Sequence, residues 1–160
     1  MGNVVSPFEG KKTVQSKRIC NGSFGEILVD NTQIAECYKG QAKVELVKEE
    51  VKRCGTLSVG SKMVGYKGTG SLTLYKTTTR FQKLVSDCIE QGKEFTCTIL
   101  FKLKDPDGFG ESGEEVTLYN VTFDDLTLFD FEAQKPIETE HPFTFDSYKY
   151  SSEIAETTEG

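Results

Sequence analysis

The sequence is poor in histidine, the side chain that most often acts as a general acid or base. Its 160 residues include no tryptophan, two methionines and a single histidine, His141. With one imidazole, a serine or cysteine nucleophile has a single ordinary candidate for its base, and a zinc site would need carboxylates for nearly all its ligands. We therefore expect a protein that is not an enzyme and that holds no cofactor or metal ion.

Long apolar runs are also missing. No stretch approaches the roughly eighteen apolar residues that a membrane-spanning helix needs. The first residues, MGNVVSPFEGKK, contain no apolar stretch of the length found in a signal peptide. We expect no membrane association and a cytosolic compartment.

The cysteines form no motif. Their number is odd and no two of them make a C-x-x-C pair, which disfavours a zinc cluster and a disulfide framework. Reduced thiols are the expected state in the cytosol. The five residues are Cys20, Cys37, Cys54, Cys88 and Cys97.

The charge balance is acidic. The formal net charge is -6 and the sequence pI is near 4.9. Such a chain repels phosphate backbones, which disfavours a conventional DNA-binding surface. It does not exclude a surface past which nucleic acid slides.

Aromatic residues and alternating patterns indicate β-strands. Eleven Phe and six Tyr supply apolar area for a core. Segments 24–30 and 33–38 flank a turn-prone Asp-Asn-Thr and predict a hairpin. From Phe95 to Leu103, every second residue is apolar and points one way. Segment 41–51 fits both a helix and a strand, and the pattern leaves it open.

Glycine and a helical stripe mark the middle of the chain. Segment 52–70 is rich in glycine and predicts a long excursion. Thr79 and Gln82 then form a capping box, and Gly92 supplies a helix stop. Between them lies one apolar helical stripe with i, i+3, i+4 spacing. Its members are Phe81, Leu84, Val85, Cys88 and Ile89.

The C-terminal third predicts further strands. The alternating pattern changes phase at Asp124 and Asp125, which predicts a bulge or turn there. Pro142 introduces a last strand over 143–150, and His141 before it is expected to be a surface or capping residue. Gly108–Gly113 matches G-x-G-x-x-G, but a strand follows where dinucleotide binding needs a helix, so we interpret it as a hairpin loop.

About seven strands and one amphipathic helix result. A single helix covers part of one sheet face, so the predicted fold is mainly β: a β-sandwich or partly open barrel with one α-helix. We expect one domain over residues 1–160, with an N-terminal arm at 1–19, an extended loop at 52–70 and a loose tail at 151–160.

Three segments in order carry a resemblance to a known family. They are GEILVDNTQIAECYKGQAKVELVKEEVKRCG, KMVGYKGTGSLTLYKTTTRF and VTLYNVTFDDLTLFDFEAQKPIETEHPFTF. This order resembles the tail tube proteins of PBSX-type prophages and related contractile-tail particles, over roughly residues 14–154. The most specific pieces are 65–80, 121–125 and 142–145, and none of them is a catalytic motif.

The resemblance implies a structural role in assembly. Tube subunits of this kind form hexameric rings that stack into a hollow conduit inside a sheath, with tape measure and baseplate proteins as further partners. DNA passes such a lumen without specific binding. Assembly would take place in the bacterial host cytoplasm, before incorporation into a phage tail or a phage-tail-like bacteriocin. The resemblance places assembly contacts in the arm and the 52–70 segment, at Val4, Val5, Phe8, Leu57, Val59, Met63, Val64 and Tyr66.

Two other functions fit parts of the pattern. The related ring-forming tube protein of type VI secretion is the first alternative. A small-molecule carrier with a closed β-barrel is the second, but it would not need the helix or a long 52–70 loop.

Overall fold

A computed structural model describes residues 15–34, 37–108 and 113–154. Two short 3-10 turns, Ser16–Arg18 and Gly22–Phe24, precede the sheet. Eight strands and one helix follow: β1 Gly25–Val29, β2 Thr32–Gln33, β3 Cys37–Val51, β4 Gly60–Tyr75, α1 Arg80–Glu90, β5 Thr96–Leu103, β6 Glu114–Phe123, β7 Glu138–Phe145 and β8 Ser147–Ser152. The mainly β fold with one α-helix is confirmed, with one strand more than predicted.

All strands belong to one antiparallel sheet. Its order is β2-β1-β5-β6-β7-β4-β3, and β8 pairs with β6 beside β7. The sheet curls over itself, since a side chain at Gly40 of β3 would meet Ile27 of β1 and Phe101 of β5. Strands β1 and β3 are not hydrogen-bonded to each other in the described residues, so the barrel stays partly open.

The core lies between the curled halves of the sheet. Its apolar members combine aliphatic side chains from the middle strands with two phenylalanines of β7. Burying each aliphatic or phenylalanine side chain among them contributes about 1.5–3 kcal/mol relative to exposure. They are Ile27, Leu72, Leu74, Cys97, Ile99, Leu118, Val121, Phe143 and Phe145.

Backbone pairing settles the conformation of the first hairpin and of segment 41–51, whose pattern fits both a helix and a strand. Asp30 and Asn31 both have positive φ, 49° and 65°, as a tight turn between β1 and β2 requires. Segment 41–51 is a strand, because it lies inside β3 and pairs with β4 along its length.

The phase change in β6 lies earlier than predicted. Pairing moves from Ile99 with Leu118 to Cys97 with Val121, so β6 carries an extra residue. Asn120 takes φ 54° there, which is the bulge. Of the two predicted alternatives at Asp124 and Asp125, the bulge is wrong, because both residues lie beyond the end of β6, and a turn agrees with the bend of the chain at Asp124.

The helix forms where the apolar stripe predicts it, and its end is as expected. Gly92 has φ 69°, and Lys93 N–H donates to the Cys88 carbonyl at 2.9 Å. The predicted capping box is absent: Thr79 makes no side-chain cap, and Gln82 Nε2 donates to the Thr127 carbonyl at 2.7 Å instead. The tertiary partner outcompetes the local cap.

The apolar stripe of α1 is only partly covered. Val85 is its one buried residue, while Leu84 and Ile89 are 49% and 62% exposed. No helix in the described part of the chain has the length and apolarity to cross a bilayer.

Candidate assembly surface

The two longest strands in the described residues, β3 and β4, form a hairpin. β7 pairs with β4 from Gly68 to Tyr75, whereas β4 residues 60–67 pair only with β3 among the described residues. The free part is a two-stranded ribbon formed by 45–51 and 60–67. Eight residues at about 3.3 Å each project it roughly 25 Å beyond the sheet. Residues 52–59 close its end.

The predicted 52–70 excursion is therefore corrected. Residues 52–59 form a loop, but 60–70 belong to β4. The glycines misled the prediction because two of them lie against aromatic rings: side chains at Gly68 and Gly70 would meet Phe145 and Phe143. They mark close packing in a strand rather than a loop.

The two faces of the ribbon differ. Register pairs Leu46 with Tyr66 and Lys48 with Met63, so the face that continues into the core carries three apolar side chains together with Lys48 and Glu50. The other face alternates acidic and basic residues around Val47. Pairing skips Val64, which is the extra residue of a bulge.

The base of the ribbon is fixed to the body. The Tyr66 hydroxyl donates to the Asp146 carbonyl at 3.1 Å, and its ring meets Tyr148 edge-on with centroids 6.2 Å apart. Beyond Tyr66, a two-stranded ribbon in water is marginally stable on its own. Its apolar side chains Leu46, Tyr66 and Met63 are about half exposed.

Five of the eight predicted assembly residues lie on this hairpin and are exposed. Leu57 in the closing loop is fully exposed, and Val59, Met63, Val64 and Tyr66 are about half exposed. Val4, Val5 and Phe8 lie outside the described residues. The prediction missed the apolar residues of the partner strand, Leu46, Val47 and Val51. Once 41–51 is taken as a strand, Leu46 lies on one face of the ribbon and Val47 and Val51 lie on the other, so alternation alone does not group them.

Comparison with known proteins decides the family. The family model for phage tail tube proteins matches residues 12–151. The chain belongs to the phage tail tube protein family.

Individual relatives agree with the family. The chain is 30% identical to the phage-like element PBSX protein XkdM of Bacillus subtilis, across 90% of this chain and 98% of the relative. Its fold is similar to that of a chain in the sheath–tube complex of an extracellular contractile injection system, with TM-score 0.62 and 13% identity, covering 94% and 99% of the two chains. A chain from the C6-symmetric tail of an empty gene transfer agent particle gives TM-score 0.51 at 11% identity, with 82% and 98% covered.

This tail tube protein also has an open cavity of about 940 Å³ between β1 and β3. Its walls carry aromatic side chains, Tyr38, Tyr148 and Tyr150, together with Lys39, Lys43 and Lys102. The cavity follows from the missing hydrogen bonds between the two strands. It is an opening in the barrel, and its mixed lining lacks the mainly apolar character of a ligand pocket.

The described residues hold no group of three or more histidine, cysteine or acidic side chains that fits a metal ion. None of the five cysteines, all of which lie in the described residues, forms a disulfide, and burial raises the pKa of the Cys97 thiol to about 12. That thiol stays protonated and is a weak nucleophile at neutral pH.

His141 is not the surface residue that the sequence predicted. It lies in β7, 2% exposed, with its ring 4.6 Å from that of Phe81. The Thr139 hydroxyl lies 2.9 Å from Nε2, whereas Nδ1 has no hydrogen-bond partner among the described residues. Burial lowers the pKa of His141 below 6.5, and Asp125 opposes this in part. The prediction was wrong because Pro142 sits inside β7 rather than at its start.

We expect this histidine to make stability depend on pH. Below pH 6.5 the unfolded chain binds a proton that the folded chain does not, so the free energy of unfolding falls as pH falls from 6.5 towards the lowered pKa. The slope reaches at most about 1.4 kcal/mol per pH unit. Urea unfolding from pH 5 to 7.5, compared with His141→Phe, measures it. An identical pH profile in both proteins would contradict the assignment.

Proposed function

We propose that this chain is the structural subunit of the inner tube of a contractile tail, assembling as hexameric rings that stack into a hollow conduit. The observation that supports the proposal is the open edge of β3. This strand of fifteen residues has one hydrogen-bonded neighbour among the described residues, so its other edge is open. A long open edge with an exposed apolar ribbon is suited to pairing with a neighbouring copy.

Several properties of the proposed tube follow. The inner barrel is continuous across subunits, with β3 and β4 contributing its strands. The outer surface receives a sheath, and tape measure and baseplate proteins complete the partners. The chain has no enzymatic activity. Assembly takes place in the bacterial host cytoplasm, before incorporation into a phage tail or bacteriocin particle. The family match favours a phage-type tail over a type VI secretion tube.

The acidic charge fits a conduit for DNA. At a net charge of -6 per subunit, polar and acidic side chains on strand faces would line a lumen that repels phosphate. DNA then slides without binding. A strongly basic lumen in the assembled tube would contradict this part of the proposal.

Electron microscopy of the purified chain tests the tube directly. We expect rings at low protein concentration and hollow tubes at higher concentration, because a closed ring precedes stacking. Sedimentation over the same series measures the assembled fraction. A chain that sediments as a monomer at every concentration would overturn the proposal.

A further inference from the structure

The end of the ribbon is basic and apolar. We define the ribbon tip as residues 51–63. It carries three basic side chains, Lys52, Arg53 and Lys62, and no acidic residue lies within 51–63. Glu49 of the paired strand lies opposite Lys62, which leaves Lys52 and Arg53 as the basic residues without an acidic residue opposite them in the register. Leu57 and Val59 stand exposed among them. Within the described residues, none of the three basic side chains forms an ion pair.

A second exposed surface has the opposite charge. The connection between β6 and β7, residues 124–137, has no regular secondary structure, and we call it the acidic segment. It carries four acidic residues and one lysine. Phe129 and Phe131 are 82% and 76% exposed, and they alternate with Asp130 and Glu132. The acidic segment therefore matches the tip in both features, with the charge reversed.

The acidic segment is held in place at several points. Gln82 of α1 donates to the carbonyls of Thr127 and Leu128. Lys76 N–H donates to the Ile137 carbonyl at 2.8 Å, and the Lys76 ammonium lies 4.8 Å from the Phe129 ring centroid. An anchored segment presents its aromatic and acidic side chains at lower entropic cost than a loose one.

The tip and the acidic segment lie at opposite ends of β4. The tip contains Gly60, the first residue of the strand, and Lys76 follows its last residue, Tyr75. Sixteen residues at about 3.3 Å each separate the two ends by roughly 50 Å. A tip cannot reach the acidic segment of its own chain, so their contact joins two copies head to tail.

We propose that the ribbon tip of one subunit docks on the acidic segment of another copy of this chain. Leu57 and Val59 pack on Phe129 and Phe131, while Lys52 and Arg53 face Asp130 and Glu132. Such a contact uses different patches on the two copies and so propagates from copy to copy. The inference rests on the proposed tube and names the surface that receives the ribbon.

Charge reversal on each side tests the contact. Lys52→Glu/Arg53→Glu places acid against acid, and Asp130→Lys/Glu132→Lys places base against base. Each variant alone is expected to raise the protein concentration needed for tubes about tenfold, because like charges replace opposite ones. All four side chains are exposed, so the fold is expected to survive.

An assembly assay on a mixture of the two charge-reversed variants is the decisive experiment. In an equimolar mixture, each altered tip meets an altered acidic segment and each unaltered tip an unaltered one. We expect assembly to recover to near the unaltered level. Lys93→Glu/Lys104→Glu, which reverses two exposed lysines elsewhere, is the control and is expected to assemble normally. Failure of the mixture to recover, or normal tubes from either variant alone, overturns the docking.

Disulfide crosslinking tests the same contact independently of tube formation. Cys54 is an exposed thiol in the tip, and Ala133→Cys adds one to the acidic segment. Both proteins also carry Cys20→Ser, because Cys20 is the other exposed thiol. With a mild oxidant, Ala133→Cys in this background is expected to give a ladder of covalent multimers, and Cys54→Ser/Ala133→Cys in the same background is expected to give none. Equal ladders in both, or none in the first, overturn the docking. Tubes from the unaltered chain alongside such a result would leave the tube proposal intact, whereas an unaltered chain that never assembles contradicts both.

Discussion

Shortening the ribbon is expected to abolish tube formation while the subunit stays folded. The change replaces residues 48–64 by Asn-Gly. Because Val47 pairs with Gly65, a two-residue turn closes the hairpin in its native register. The variant loses the exposed apolar residues beyond Tyr66 but keeps the Tyr66 hydroxyl bond to Asp146. Pelleting and electron microscopy measure assembly.

Retention of the fold is part of the expectation. The core residues of β4, Leu72 and Leu74, lie on the sheet side of Gly68 and are untouched. Circular dichroism and urea unfolding should match the full-length chain within about 1 kcal/mol, because the free ribbon is marginally stable. As a matched control, Thr56→Gly with Ser58→Gly alters the closing loop, keeps the ribbon and should still assemble. Normal tubes from the shortened chain would show that the ribbon plays no part in assembly.

The second large effect is expected at Gly70. Its added Cβ in Gly70→Ala would meet the Gln41 carbonyl and lie 2.5 Å from Phe143 Cζ, a ring that is fully buried. Overpacking of this kind typically costs about 1–3 kcal/mol of unfolding free energy. Urea denaturation at neutral pH measures the loss.

Gly65 provides the control in the same strand. An added Cβ there meets nothing within 4 Å. Gly65→Ala is therefore expected to be neutral or to stabilise by up to about 1 kcal/mol, because alanine reduces the entropy of the unfolded chain. Equal destabilisation at both positions would mean that strand propensity, and not contact with Phe143, explains the glycine at 70.

Residues whose pattern reflects only local geometry were predictable. Asp30 and Asn31 accept positive φ, Gly92 ends the helix, and the alternation from Phe95 to Leu103 gives a strand. The predictions failed where distant residues decide. The Gln82 side chain donates to the Thr127 carbonyl instead of capping the helix. At position 70 a glycine is needed because a larger residue would meet Phe143, which lies 73 positions along the chain.

The residues named for assembly stay a prediction, and only some of the exposed apolar residues of the ribbon stand out in the sequence. Leu57, Val59 and Met63 stand out as apolar residues in a polar stretch. The importance of Leu46 depends on its pairing with Tyr66, which sequence spacing does not reveal. Equally, the charge match between residues 51–63 and 124–137 matters only because β4 separates the two by its whole length.

The open edge of β3 also bears on aggregation. An exposed strand of fifteen residues is a template for amyloid-like stacking of identical segments. In parallel in-register stacking, each charged residue of β3 would lie next to the same residue of the adjacent chain. Lys would then face Lys and Glu would face Glu, which is destabilising. Those residues are Lys39, Lys43, Glu45, Lys48, Glu49 and Glu50. The alternating charges thus disfavour fibrils of β3 with itself while leaving its backbone edge available to a strand of different sequence.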